Sequence, residues 1–484
     1  MAELGNRQRF VVLAICCMSL LIVSIDNTAL NVALPSIRRE LGASVSGMQW
    51  TIDAYTLTLA SLLMLSGSTA DRIGRRKVFT AGLVIFVLAS LLCSVAPNLE
   101  SLVAFRALQG VGGSMLNPVA MSIITNTFTD PAQRARAIGV WGGVIGISMA
   151  AGPLVGGLLV DTLGWRSIFW INLPIGLVAL ILTWRFIPES KAPRPRRPDP
   201  VGQLLVMALL ASVTYGIIEA HAAGFGSVLI LGCATTALLA LIALIRYERR
   251  HPEPLIDPRF FTSAPFSGAV VIAICAFSAL GGFLFLNTIY LQEVRGLSAM
   301  NAGLYMLPMA GLTLVLAPLS GRVVGSRGPR GPLLVAGAGI ASSGLLFALL
   351  TAETSTPLLF TGYVLFGIGF GVVNAPITNT AVTGMPRAQA GVAAAVASTS
   401  RQTGQTLGVA LIGAILAAGV HSGGVAQEFT TAAQPAYWVI TGCGLLVLVM
   451  GAVTTGAWGQ RTAARTSAKF ETPKPPTLIT SDRY

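Results

Sequence analysis

A chain of 484 residues that is 54% hydrophobic and only 11% charged is not an ordinary soluble globule, whose charged fraction is about a quarter. Its net charge of +13 does not mark a nucleic-acid binder, because the cations gather in short segments between long apolar runs. All six cysteines lie inside those runs and no Cys/His spacing suits a metal, so neither a disulfide framework nor a metal centre or cofactor is expected.

A helix needs about 20 mostly apolar residues to cross the hydrocarbon core. Fourteen segments qualify: 10–35, 46–70, 78–96, 101–125, 136–160, 166–187, 201–223, 227–246, 264–292, 300–321, 331–350, 357–381, 391–419 and 435–456. The expected fold is therefore an all-α membrane protein with 14 transmembrane helices. Span one runs past 20 residues with no Ala-x-Ala-type cleavage site and reads as a retained helix. With the N-terminus inside, only Arg38, Arg39, Arg166 and Arg295 of the 32 Lys and Arg fall outside, and Arg106 and Arg401 lie within spans. That asymmetry predicts both termini in the cytoplasm. His221, His251 and His421 sit at loops or span ends and read as solvated.

Span one carries Asp26 and Asn31, span two Trp50, Asp53 and Tyr55, and span four Arg106 and Gln109. Ionisable residues inside spans are expensive and are functional candidates by default. At 1.5 Å per residue, Asp26, Asp53 and Arg106 all lie about 8–15 Å below the outer boundary, which permits an Asp–Arg pair. Desolvation favours the protonated acid and a nearby guanidinium the ionised one, so a movement that separates them would load and release a proton. A permanent buried ion pair is the alternative.

Between spans two and three lies Gly67-Ser-Thr-Ala-Asp71-Arg72-Ile-Gly74-Arg75-Arg76-Lys77. One carboxylate and four cations in so short a loop form either a clamp between two helices or a topological stop; Gly74 fits a tight turn. Span five holds Gly152-Pro153 and Gly156-Gly157, small residues that let helix backbones approach closely. Pro188–Pro200 and Arg246–Pro258 are Pro-punctuated polar linkers on either side of spans seven and eight. They leave six spans before and six after.

The two blocks read as repeats. Gly67, Gly74 and Arg76 map onto Gly321, Gly328 and Arg330 at one offset, 254, which also relates the starts of spans one and nine. The expected organisation is an N-terminal six-helix bundle over 1–187, linkers and a two-helix insert over 188–263, a C-terminal bundle over 264–456 and a disordered tail over 457–484. In span thirteen, Arg401 and Gln405 form a polar patch that either lines a cavity or bonds neighbouring carbonyls.

The 67–77 loop resembles the helix 2–3 signature of the major facilitator superfamily. Asp26-Asn-Thr-Ala-Leu-Asn-Val-Ala-Leu-Pro35, Trp50-Thr-Ile-Asp-Ala-Tyr55, Leu102-Val-Ala-Phe-Arg106-Ala-Leu-Gln109-Gly110 and Trp165-Arg166…Asn172-Leu-Pro174 are similar to patterns of its fourteen-helix drug:proton antiporter branch. The span-five glycines look like that branch's antiporter motif, with Ser148 in place of its first glycine. The resemblance implies proton coupling through Asp26, Asp53 and Arg106. It also implies a latch of Gly67, Asp71, Arg72, Gly74, Arg75 and Arg76 that engages the start of span thirteen when the transporter faces outward. A hinge at Gly152, Pro153, Gly156 and Gly157 follows too; the candidate cavity residues are Asn31, Trp50, Tyr55 and Gln109, with Arg401 and Gln405 of the span-thirteen patch as the cavity alternative for that patch.

The expected activity is proton-driven export of amphipathic or cationic drug-like compounds across a bacterial inner membrane. Its partners would be protons, a small molecule and lipid, with no nucleic acid involved and the oligomeric state open, a monomer among the options. No Gly-x-x-x-x-Gly-Lys-Ser/Thr segment occurs, which argues against ATP drive, and no catalytic constellation points to an enzyme. The rivals are a same-fold transporter of a metabolite, lipid or amino acid, and a membrane receptor that transports nothing.

Overall fold

In lipid the backbone must satisfy its own hydrogen bonds, and a long apolar run does so as a helix. The computed structural model describes residues 5–192, 199–251, 254–386, 389–420 and 424–470, and no strand occurs among them. The first block contains α1 (Asn6–Leu41), α2 (Val45–Ile73), α3 (Arg75–Ser94), α4 (Leu99–Ser114), α5 (Asn117–Thr127), α6 (Pro131–Leu163), α7 (Ser167–Trp170) and α8 (Asn172–Phe186). Then come α9 (Pro200–Ala223) and α10 (Val228–Glu248). The last block contains α11 (Ala264–Ile289), α12 (Ala299–Tyr305), α13 (Leu307–Arg327), α14 (Arg330–Phe347), α15 (Thr356–Val382), α16 (Ala390–Gly419), α17 (Val425–Thr454) and α18 (Ala457–Ala468).

Twelve helical stretches among the described residues are long and apolar enough to cross a membrane. Predicted spans two and four are the two that fall short, each for a local reason. Span two is the 29-residue α2, whose apolar character is diluted by Gln49, Asp53 and a scatter of Ser and Thr. Span four is split at Met115–Leu116 into α4 and α5, because Pro118 in the first turn of α5 offers no N–H to continue the ladder.

Helix starts are written locally. Ser44 accepts from Gly47 N at 3.1 Å, Asn98 from Ser101 N at 2.9 Å, and Asp199 from Gly202 N at 2.8 Å. At the other ends, Gly74 (φ 128°) closes α2 and Gly328 (φ 82°) closes α13, the two glycines matched by the 254-residue offset. Packing repeats with them. In the first block α1 lies on α6, α2 on α4 and α3 on α8; in the last, α11 lies on α16, α13 on α15 and α14 on α17. Across the blocks, α2 meets α16 and α6 meets α12 and α13, while α9 covers the α2–α16 seam.

The tail requires a correction. Residues 457–470, expected to be disordered, form α18 and its C-terminal turn. Small residues Gly459 and Ala463 and the methyl-bearing Thr466 make one buried face. Thr462 Oγ1 accepts from Ala264 N at 3.0 Å, the Thr466 and Thr262 hydroxyls lie 3.0 Å apart, and Phe470 rests against Phe260 and under Arg259. Residues 471–484 lie outside the described residues, as do 193–198 of the Pro-rich linker and His421.

Candidate functional site

Glycines bring the first-block charges together. A Cβ on Gly110 would fall 2.6 Å from Tyr55 O, and one on Gly112 2.5 Å from Phe86 N, so α4 sits backbone-close to both α2 and α3. That approach buries Arg106 completely and places its Nη1 2.6 Å from Asp26 Oδ2, with Asp26 itself 2% exposed. The same Nη1 donates to Gln109 Oε1 at 2.6 Å, and Arg106 Nε donates to Thr51 O at 3.1 Å. Asp26 Oδ1 accepts from Gln109 Nε2 at 2.9 Å and from Asn172 Nδ2 at 2.8 Å. Asn172 also donates to Ser90 Oγ at 2.9 Å, whose hydroxyl donates to Phe169 O at 3.1 Å. The guanidinium lies 4.4 Å from the Tyr55 ring centre and 5.9 Å from that of Phe169.

Two helices, α4 and α8, thus orient the carboxylate that α1 supplies, and α2, α3 and α7 hold those side chains in turn. Its charge is balanced by one cation, and its remaining oxygen is held by neutral amide donors. A proton arriving at Asp26 would discharge the pair and release Arg106, whose Nη2 is buried without a partner. This arrangement can therefore exchange an ion pair for a protonated acid, provided water reaches it.

Asp53 is elsewhere. It is fully buried, receives Thr56 Oγ1 at 3.3 Å, and leaves Oδ2 unpartnered. Gln49, Asp53 and Thr56 form one stripe of α2. Gln49 donates to Val409 O and Ala410 O at 3.0 and 2.7 Å, and Thr406 Oγ1 donates to Thr56 Oγ1 at 3.0 Å. The stripe faces α16, so Asp53 sits in the seam between the blocks, apart from Arg106.

The residues expected around one cavity disperse. Tyr55 and Gln109 belong to the Asp26 cluster. Trp50 packs on α9, donating to Glu219 Oε1 at 2.7 Å with its ring 5.7 Å from that of Tyr215, because the insert offers both an aromatic and an acceptor there. Gln405 packs against Gly281 of α11. Asn31 does line a small inter-block void, with Thr28, Met149, Pro153, Leu284 and Met309. Arg401 reaches α15, donating to Thr378 Oγ1 at 2.5 Å and, at 3.4 Å, to Asn374 O.

At the end of the bundle carrying the 67–77 loop, Asp71 Oδ1 accepts from Arg75 Nε and Nη2 at 3.0 and 2.8 Å. Arg75 N donates to Ser190 O and Ala192 N to Asp71 O, at 2.9 and 3.0 Å. Arg76 N donates to Glu189 Oε1 at 3.1 Å. Gly67 rests against Pro118, and Arg72 is exposed. The loop is fastened to its own block and to the linker after α8, with Asp71 held by Arg75.

The far end is closed across the blocks. Arg38 pairs with Glu293, Gln292 Nε2 donates to Val32 O at 2.8 Å, and Asp161 accepts from Ala299 N and Met300 N at 3.1 and 2.9 Å. Beside these contacts lies a depression of about 680 Å³ lined by Arg38, Arg39, Asp161 and Gln292. The span-five glycines set where α6 packs, both within its own block and against this closure. Gly152 faces Thr28 and Gly156 faces Ala29 on α1, while Gly157 meets the backbone of Ala299 and Met300, and Pro153 O meets Gly303.

Asn172, Ser90, Glu189 and Asp161 are the site residues that sequence reasoning missed. Asn172 stood within a recognised pattern, but a neutral amide in an apolar helix does not announce its partner. Glu189 lay in a linker read only for its prolines.

The sequence profile of the Major Facilitator Superfamily matches residues 16–409. Over 413 residues the chain is 35% identical to the multidrug resistance protein Stp of Mycobacterium tuberculosis, covering 85% of this chain and 77% of that one. Over 402 residues it is 36% identical to the tetracenomycin C resistance and export protein of Streptomyces glaucescens, covering 83% and 74%. Among solved structures, a bacterial homologue of the human lysosomal transporter Spinster, inward-facing and unoccupied, matches with a TM-score of 0.64 at 18% identity. That match covers 97% of this chain and 100% of that one, and it is a likeness of fold.

Proposed function

The chain belongs to the major facilitator superfamily, and from that premise we propose that it is a proton-coupled antiporter exporting drug-like compounds from a bacterial cell. Relatives named for multidrug and antibiotic resistance support the export reading. The observation that carries proton coupling is the buried Asp26–Arg106 pair, a carboxylate at membrane depth with one cation and three amide or guanidinium donors. Here its partners come from separate helices, so small relative movements alter its solvation and its balance.

The membrane arrangement we infer has fourteen crossings, with α2 and the α4–α5 pair added to the twelve apolar stretches. Bundles over 1–187 and 264–456 flank an insert over 188–263, and both termini lie in the cytoplasm. On that orientation the closed far end is extracellular and the conformation faces inward. The latch is then released, with Asp71 occupied by Arg75; in the outward state Asp71 turns to the N-terminus of α16, where the helix dipole favours an anion. The bundles rock about Asn31 and the span-five glycines.

The test is ethidium export, read as uptake into everted vesicles whose lumen is made acidic, comparing wild type with Asp26→Asn. Asn preserves size and a hydrogen-bonding oxygen but carries no titratable proton. Gradient-driven uptake lost in the variant, with folding intact, supports the proposal; gradient-driven uptake that survives in it removes Asp26 from coupling.

A further inference from the structure

Two arginines lie within the membrane spans, and the chain treats them differently. Arg106 is enclosed, with a carboxylate, a side-chain amide, a backbone carbonyl and an aromatic face all applied to it. Arg401 has no acid. Its contacts are the neutral Thr378 hydroxyl and Asn374 carbonyl of α15 and, at 3.4 Å, the Ser398 hydroxyl one turn earlier in α16. Its Nε is buried and unpartnered, so a guanidinium with five N–H donors is only partly satisfied.

No acid of its own block can come to it. Between residues 264 and 454 the only carboxylates are Glu293, Glu353 and Glu428. They stand in the turn that follows α11, in the α14–α15 connection and in the first turn of α17, all at the far end of the block. Arg401 lies eleven residues into α16, about 16 Å from its start, and eighteen residues, about 27 Å, from its end. Asp26 is committed to Arg106. Asp53 sits in the α2–α16 seam at the level of Thr406 and beyond, whereas Arg401 reaches towards α15. Thr378, the residue that orients the guanidinium, is exposed and Arg401 itself is half-buried, so the group is not sealed in the core.

An uncompensated cation at membrane depth is costly and marks a ligand path. We propose that Arg401 anchors an anionic group on the transported molecule, a carboxylate or an ionised enol or phenol, with Thr378 and Asn374 fixing its fork. Acidic amphipathic compounds then belong to the substrate class alongside neutral and cationic ones. This rests on the transporter reading. It adds a consequence for energetics: exchanging one exported monoanion for one entering proton moves two charges in the same sense, so the membrane potential drives it as well as the pH gradient.

The experiment uses a xanthene dye bearing a free carboxylate and its methyl ester. Binding of each to the purified full-length protein is measured by fluorescence anisotropy for wild type, Arg401→Gln and Arg401→Lys, together with each variant's melting temperature. Wild type is expected to prefer the acid, and Arg401→Gln to lower the acid-to-ester affinity ratio about tenfold, the scale of a charge-assisted hydrogen bond. Arg401→Lys retains most of the preference. A wild type that does not discriminate, or an Arg401→Gln protein that discriminates equally well, overturns the proposal. Binding is read without a gradient, so its outcome is separate from the export reading: normal Arg401-dependent binding with no flux in vesicles would refute export alone.

Discussion

Asp26 accepts hydrogen bonds from three side chains on two other helices, and each partner answers a different part of its chemistry. Arg106 balances the charge, while Gln109 and Asn172 hold the second oxygen in one orientation. The charged pair was legible in the sequence, since two opposite charges at equal depth in apolar helices have few other ways to be tolerated. Asn172 and Ser90 were not, because a neutral polar residue costs little in a helix and gives no hint of what it faces. Trp50 shows the same limit from the other side, its partner Glu219 lying in the insert 169 residues away. Gly74 is a residue whose requirement is local. Its φ of 128° is open to glycine, and Glu189 occupies the space a Cβ would take, 2.5 Å from Oε1. Gly74→Ala should destabilise the protein by roughly 1–3 kcal/mol through backbone strain and displace Glu189 from Arg76 N. Thermal unfolding in detergent would register the loss; an unchanged melting temperature would mean the turn adapts freely.

The helices separate two kinds of glycine contact that share one motif. Gly156 sits within the first block, with Ala29 Cα and Cβ 2.9 and 2.8 Å from a would-be Cβ, whereas Gly157 touches Met300 Cα and Ala299 O of the other block at 2.6 Å. Overpacking at a rigid backbone contact costs about 1–3 kcal/mol. In Gly156→Ala that cost falls on folding, so the melting temperature drops. In Gly157→Ala it falls on far-end closure alone, so stability is largely kept and the outward-open state gains population. Comparable melting losses in both would contradict this division. Sequence spacing revealed that small residues line α6. Which neighbour each one meets depends on the crossing of α1, α6 and α12, information carried by no single segment. For α18 the apolar pattern was too short to read, and its order comes from contacts with residues some 200 positions earlier.

For the molecule as a whole, the all-helical character followed from apolar length, and twelve of the fourteen expected spans are long and apolar enough to cross a membrane among the described residues. The block repeat was visible as one offset in Gly and Arg loops, and the recurring helix pairings carry it through both halves. Closure at the far end rests on few polar contacts, among them Asp161 capping α12 across the interface. Asp161→Ala removes a cap worth about 1 kcal/mol, roughly a fivefold shift in population between the two states. Its readout is a cysteine at position 31 in a background without the six native cysteines, labelled by an impermeant thiol reagent added on the extracellular side. Labelling should accelerate in the Asp161→Ala protein; an unaltered rate would show that this cap does not hold the gate.

If the Asp26 carboxylate carries the proton that drives export, proton movement itself depends on that side chain. Reconstituted protein would be monitored with a lumenal pH indicator while ethidium is supplied, in wild type and in Asp26→Asn, with ethidium counterflow measured in the same vesicles. That role predicts substrate-dependent proton flux in wild type, and in the variant no proton flux but persisting counterflow. Substrate-dependent proton flux in Asp26→Asn would contradict it.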